Sequence, residues 1–437
     1  MLQDGLSGII IKSVLSDFFV PRAIDPPQVQ AELGGASCRT ACWAPEAMAR
    51  LVAELQRGAY ALQQIPPQDL VRAWGDTVDA FLDPDSPERE PLAGPLAQLC
   101  RLSPEGLSAG LEAVLGGVRR SHAAPLVEEA EVVPAEVGPV LVVLASNLPA
   151  LAVQSLLPAL ALRRPVLLKS PSGEPLFAPA FLAALAQREP RLAGGMAAVT
   201  WPGGERRLEA PVLANVGTVV AYGENRTLED LARRAPGKVV GYGPKTSLAV
   251  LGADVSPEAA AEGLARDVAL FDQRGCLSVN AVYTAGDPLE LAEELWHALL
   301  DLSWLMPAGL TDAATLAAVQ QARLEGEMRG LAQPEMPVAS GTILVDPEVA
   351  FRPSPGLRTV RIHPLEDLAR LPEVLAPWKG KLQGAALAGE GAWALEAQLA
   401  RLGVSRFAPP GELQSPDAAW HNGGIHPLAA LRGAYAM

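Results

Sequence analysis

Val140-Leu141-Val142-Val143-Leu144-Ala145-Ser146-Asn147-Leu148-Pro149 runs from an unbroken apolar segment into a polar turn that a proline closes. An apolar run bounded by turn residues is the pattern of a strand buried on both faces, so 140–145 reads as a strand of a parallel sheet. Helical spacing over 153–162 and a second apolar run at 166–169 complete a βαβ unit. The segment 138–162 is apolar enough to raise the question of a membrane span. Asn147, Pro149, Gln154 and Pro158 would leave polar groups unsatisfied in lipid, so a buried strand, a turn and a buried helix fit it better.

Toward the C-terminus the alternation continues with a helix at 176–187, a strand at 216–221, a glycine at Gly223 and a helix at 227–234. A second α/β unit starts with a strand at 247–251. The helix that follows, from about 257, carries Ala261, Leu264, Val268 and Phe271 on its buried face and is expected to end at Arg274-Gly275. Further strands are expected at 279–284, 341–345, 359–362 and 384–387, with helices at 288–300, 311–331 and 393–402. The boundary between the units falls near Gly241-Tyr242-Gly243-Pro244. Toward the N-terminus, Met48, Leu51, Val52, Leu55, Ala59 and Leu62 share one helical face, and Ser103-Pro104-Glu105 is a helix start with proline at the first position. The expected fold is therefore α/β, with an N-terminal helical portion (1–120), a nucleotide-binding parallel-sheet domain (121–245), a second parallel-sheet domain (246–405) and a C-terminal segment (406–437).

A chain of 437 residues with 49% hydrophobic and 19% charged residues has enough apolar surface for two or three well-filled cores. The net charge of -14 argues against a dedicated binder of nucleic acid or of an anionic membrane, since both rely on Lys and Arg to neutralise phosphate. Cys38, Cys42, Cys100 and Cys276 make no disulfide framework in a chain this long, and no histidine lies near Cys38 and Cys42 to complete a zinc set, so no metal is expected. Cys38 and Cys42 are read as partly buried helix residues. Asp4 and the short run Ile9-Ile10-Ile11 lack the pattern of a signal peptide, which with reduced thiols points to the cytoplasm. Lysine is scarce, so each of Lys12, Lys169, Lys238, Lys245, Lys379 and Lys381 is conspicuous.

The chemistry-bearing stretch is Phe271-Asp272-Gln273-Arg274-Gly275-Cys276. A thiol reacts as thiolate, and its reference pKa of about 8.5 must be lowered by positive charge or hydrogen bonds, which Arg274 and the backbone N-H groups after Gly275 could supply. Cys276 then reads as a nucleophile toward a thioester or an aldehyde, beside the plainer reading of a buried structural thiol. Asn147, just past a buried strand, reads as an oxyanion donor or as an ordinary turn residue. Lys169, Ser170 and Ser172 at the next strand end suit a ribose or its 2′-phosphate, and a solvated loop lysine is the alternative. Gly223, Gly241 and Gly243 do not form the six-position glycine fingerprint of the dinucleotide fold, which disfavours a standard dehydrogenase of that type.

In this order, the pieces resemble the aldehyde dehydrogenase superfamily and, within it, the bacterial acyl-CoA reductases that supply fatty aldehyde for bioluminescence. Ser146-Asn147-Leu148-Pro149 is similar to the family's Asn-x-Pro turn, whose Asn is the oxyanion donor. Lys169-Ser170-Pro171-Ser172 is similar to its cofactor strand, Val220-Ala221-Tyr222-Gly223 to its glycine after a strand, and the segment ending at Cys276 to its nucleophile segment. Trp420-His421-Asn422-Gly423-Gly424 is similar to the end of the acyl-CoA reductase branch. Asp272 and Arg274 depart from the commonest nucleophile segments.

The resemblance implies an NADPH-dependent reduction of a fatty acyl thioester such as acyl-CoA to the aldehyde, with Cys276 carrying the acyl group, Asn147 steadying the oxyanion, and Lys169, Ser170, Ser172, Gly223 and Gly241 lining the cofactor site. The glutamate that hydrolytic relatives use as general base is replaced by Gly241, so an acyl group on Cys276 would persist for exchange or reduction. Ser172 stands where NAD-preferring relatives carry a ribose-binding Glu, which favours NADP(H); alignment two residues further on places Glu174 there and favours NAD(H). Homo-oligomerisation and an acyl-transferring ligase as partner are further implications. An acyl-phosphate reductase of the same fold, or an acyl-carrying scaffold that reduces nothing, are the alternatives.

Overall fold

A computed structural model describes residues 15–131 and 138–432. The Ile9-Ile10-Ile11 run and Lys12 lie outside the described residues. Three sheets organise the chain, and the linkers between them position the site.

The N-terminal sheet is small. Strands β1 (Leu15–Ser16), β2 (Gln28–Leu33) and β3 (Ala36–Ala41) lie in the order β1-β3-β2, with β2 and β3 antiparallel. The expectation of helix throughout 1–120 therefore holds only past this hairpin. Cys38 sits on β3, buried, and Cys42 follows it, exposed; neither is a helix residue. Helices then occupy Pro45–Gln63, Pro67–Leu82, Glu90–Cys100, Pro104–Gly116 and Arg120–Glu131. Ser103 caps the fourth by accepting a bond from Gly106 N at 2.9 Å, with Pro104 at the first position.

The second sheet contains β4 (Val140–Val143), β5 (Val166–Ser170), β6 (Met196–Thr200), β7 (Thr218–Tyr222) and β8 (Lys238–Tyr242), all parallel, in the order β6-β5-β4-β7-β8. The chain steps outward from β4 to β6 and then returns to the other side of β4, which opens a crevice at the carboxyl ends of β4 and β7. Successive residues point to opposite faces. Leu141, Leu167, Ala197 and Val219 pack with Met48, Leu51, Val52 and Leu55 of the first helix, whereas Val142, Leu168, Ala198 and Val220 join the large core shared with the other N-terminal helices. Burial on both faces explains why these strands have no polar alternation.

The third sheet has β9 (Thr246–Leu251), β10 (Val279–Thr284), β11 (Thr342–Val345), β12 (Thr359–Pro364), β13 (Leu382–Ala388) and β14 (Arg406–Ala408), again parallel, ordered β11-β12-β10-β9-β13-β14. Only Gly243, Pro244 and Lys245 separate β8 from β9. So short a link brings the carboxyl end of one sheet against the amino end of the next. Ligand-facing residues of the second sheet thus follow their strands, while those of the third precede theirs. Among the described residues no helix is long and apolar enough to cross a membrane.

Candidate active site

The junction between the two larger sheets is a cleft of about 1640 Å³. Cys276, Asn147, Lys169, Ser172, Gly223 and Gly241 all line it. Ser170 does not: this last residue of β5 is fully buried, and its hydroxyl has no hydrogen-bond partner among the described residues. Among the described residues no group of three or more His, Cys, Asp or Glu side chains is placed to hold a metal.

Cys276 is delivered by a turn that the sequence does not announce. The helix expected to run to Arg274 ends at Ala269, and Phe271, Asp272 and Gln273 have φ of 58°, 49° and 64°. Consecutive left-handed residues without glycine cost about 1–2 kcal/mol each, so surrounding groups must hold them. Gln273 Nε2 donates to Val279 O and Thr359 O, both at 2.7 Å, while its Oε1 accepts from Ser354 Oγ at 2.8 Å and Thr359 N at 2.9 Å. Asp272 accepts from the buried Arg358 guanidinium and from Gly309 N, each at 2.9 Å. Phe271 packs on Gly110, where a Cβ would lie 2.6 Å from the ring.

Arg274 does not serve the thiol. Its guanidinium donates to the carbonyls of Cys100 at 2.7 Å, Arg101 at 3.3 Å and Phe271 at 3.1 Å, which ties the turn to the end of the Glu90–Cys100 helix. Burial pushes the Cys276 thiol up to about 11, against the lowering effects of the Cys276 and Leu277 backbone N-H groups and of the positive charge on Lys245. The expected backbone donors are present, then, but the cation is Lys245. Its scarcity and its place after Gly243-Pro244 were the available signals; its partner depends on tertiary structure. The Cys276 carbonyl accepts from Ser247 Oγ at 2.8 Å, which anchors the nucleophile segment to β9.

Asn147 closes the turn after β4 over this segment, donating from Nδ2 to Arg274 O at 3.1 Å. At the carboxyl end of β5, Lys169 is buried and lies 5.9 Å from the Trp201 ring centroid; desolvation lowers its pKa, with Glu209 opposing. Ser172 is exposed to the cleft. Glu174 points away from it, accepting from Leu176 N and Phe177 N, both at 2.8 Å, at the start of the Phe177–Arg188 helix. Gly241 carries no side chain toward Cys276.

Sequence reading did not single out the aromatic pair Tyr222 and Tyr242, stacked with centroids 4.9 Å apart at the ends of β7 and β8. Tyr222 Oη is 2.9 Å from Ser155 Oγ. Burial keeps both phenols protonated, Tyr242 up to about 12. Gln414 was also missed: it donates to Asp267 O at 2.7 Å and meets Ser278 Oγ at 3.1 Å, bracing the segment after Gly275. No motif marks such residues, because each works through a neighbour distant in sequence.

The sequence profile described as "Acyl-CoA reductase (LuxC)" matches residues 89–433. The long-chain acyl-protein thioester reductase of Aliivibrio fischeri is 27% identical over 284 residues, covering 61% of this chain and 57% of that protein, so the match spans a little over half the relative's length. Among solved structures, an oxidoreductase from Marinobacter aquaeolei superposes with a TM-score of 0.72 at 14% identity, covering 98% of this chain and 95% of that one. Aldehyde dehydrogenase 21 from Physcomitrella patens gives 0.71 at 14% identity, covering 95% and 94%. The fold is thus that of the aldehyde dehydrogenases, and the chain belongs to the acyl-CoA reductase (LuxC) family.

Proposed function

We propose that this protein reduces a long-chain acyl thioester to the aldehyde through an acyl group held on Cys276. The observation that carries the proposal is a nucleophile without a hydrolytic base: Cys276 and Asn147 line one cleft, Asn147 is bonded to the carbonyl of Arg274 two residues before Cys276, and position 241 is glycine. Acyl transfer to Cys276 develops negative charge on the carbonyl oxygen. The Asn147 amide, which has one N-H left after its bond to Arg274 O, and the Cys276 backbone N-H are the donors proposed to receive it. With glycine at position 241, where hydrolytic relatives carry the water-activating carboxylate, the acyl-cysteine survives until it is reduced.

The cofactor proposed is NADP(H). Its fit rests on the cleft at the carboxyl ends of β4, β5, β7 and β8, and on Lys169, whose ammonium has no ion pair among the described residues. A reduced nicotinamide supplies the hydride when bound. Ser172 leaves room for a 2′-phosphate, and Glu174, engaged at its helix start, is not offered to a ribose. The acyl donor is proposed to be a protein-bound thioester, following the name of the Aliivibrio fischeri relative, with acyl-CoA as the small-molecule equivalent. An acyl-transferring ligase as partner, a homo-oligomeric assembly and a cytoplasmic location belong to the same proposal. The exposed apolar side chains Trp304, Leu305, Leu310 and Met328 support an assembly surface.

The test is aldehyde formation from a panel of acyl-CoAs and acyl-proteins with NADPH and with NADH. The proposal expects aldehyde with long chains and faster turnover with NADPH. Absence of aldehyde from every donor with either cofactor would overturn it.

A further inference from the structure

A cysteine that must become a thiolate needs somewhere to put its proton, and the carboxylate that hydrolytic relatives carry is replaced by Gly241. Tyr222 from β7, Tyr242 from β8, Lys245 from the link into β9, Arg274 from its own turn and Lys381 just ahead of β13 line the cleft with Cys276, and Tyr222 and Lys245 interact electrostatically with its thiol. The two phenols are held protonated by burial, Arg274 is committed to three backbone carbonyls, and Lys381 lies against the Trp378 ring. Lys245 is different. It is half-buried, and among the described residues its ammonium has no hydrogen bond or ion pair. Burial lowers its pKa, and its interaction with Cys276 opposes that shift.

The surroundings keep that ammonium accessible. A Cβ on Gly423 would lie 3.8 Å from Lys245 Nζ and 3.8 Å from the Tyr242 ring, and Gly423 and Gly424 both have left-handed φ, +60° and +82°. Side chains are disfavoured there, so the glycine turn leaves the lysine facing the cleft. Ser247, two residues on, is bonded to the Cys276 carbonyl, which fixes the strand bearing Lys245 against the nucleophile segment.

We infer that Lys245 is the proton-transfer partner of Cys276, taking the place of the absent carboxylate base. The inference rests on the acyl-cysteine reading above. In acylation the neutral amine of Lys245 takes the thiol proton, and the thiolate attacks the carbonyl carbon. The new carbon–sulfur bond forms as the bond to the donor sulfur breaks, and the Lys245 ammonium returns its proton to the departing thiolate. A lysine, unlike a glutamate, becomes positively charged when it has accepted the proton, so it stabilises the thiolate it has made.

The experiment reads alkylation of Cys276 by iodoacetamide across pH 6–11 in the full chain carrying Cys42→Ser, because Cys42 is exposed whereas Cys38 and Cys100 are buried. Removing the charge in Lys245→Met, or in Lys245→Gln should the first variant fold poorly, is expected to slow the reaction about tenfold at each pH on the rising limb of the profile. Lys245→Arg keeps the charge and the alkylation rate, yet lowers the rate of Cys276 acylation by an acyl-CoA about a hundredfold, since a guanidinium takes no proton. An unchanged alkylation rate in the uncharged variants, or wild-type acylation in Lys245→Arg, overturns the inference. Alkylation needs neither acyl donor nor cofactor, so it remains decisive even if the acyl-reductase reading fails.

Discussion

Gln273→Ala removes the side chain that holds the nucleophile turn in its left-handed path. Three successive left-handed residues cost about 3–6 kcal/mol together, and the bonds from Gln273 to Val279, Thr359 and Ser354 offset much of that. At about 1 kcal/mol per buried neutral bond, losing the set removes about 4 kcal/mol before relaxation, and about 2–4 kcal/mol after water and backbone adjust. For a chain of 437 residues, calorimetry should show the transition of the variant lowered by about 2–4 °C. Hydrogen exchange of the peptide spanning 268–280 should accelerate about 30-fold or more, while peptides of β4 to β6 keep their protection. A transition within 1 °C of wild type, roughly the noise of such a scan, together with unchanged exchange in that peptide, would refute the claim that Gln273 restrains the turn.

Three further outcomes follow from the same contacts. Gly110→Ala drives a methyl group into the Phe271 ring, so the variant should lose about 1–3 kcal/mol in denaturant unfolding and alter the alkylation rate of Cys276. Glu174 has a carboxyl raised from 4.5 to about 7 by burial, so its folded state holds a proton that the unfolded chain releases above pH 4.5, and stability falls as pH rises through that window. Glu174→Gln keeps the acceptor for Leu176 and Phe177 without the titration; relative to wild type it should gain stability at pH 8 and little at pH 4, read from paired denaturant curves. Asn147→Ala should slow single-turnover aldehyde formation by about 10²–10³-fold.

Much of this architecture was written in local sequence. β4, β5, β9 and β10 are apolar runs buried on both faces, and the helices between them have clear periodicity, so the two parallel-sheet units and their junction could be read directly. The hairpin of β2 and β3 was lost because Gln28–Leu33 is largely exposed and Ala36–Ala41 carries only small or polar side chains, with little apolar signal to offer. β6 is built of Met, Ala, Val and Thr, and β8 was read as a boundary because it ends in Gly241-Tyr242. Of the cleft-lining residues, those legible in advance lie at or beside strand ends: Asn147, Lys169, Gly223 and Cys276.

What escaped was whatever depends on contacts across the fold. Nothing in Phe271-Asp272-Gln273 signals positive φ, since the restraint comes from Gly309, Ser354, Arg358 and Thr359. Arg274 was the nearest cation in sequence and so the natural candidate to activate the thiol. Carbonyls at the end of a distant helix claim it instead, and Lys245 takes the position by the thiol because a three-residue link carries it there.

Intact-mass spectrometry of the full chain incubated with a long-chain acyl-CoA, without any nicotinamide, tests the account's central claim most directly. The account predicts a single acyl adduct that maps to Cys276, is absent in Cys276→Ser, persists in water and is discharged when NADPH is added. Free fatty acid accumulating with no adduct, or an adduct that survives NADPH, would contradict it.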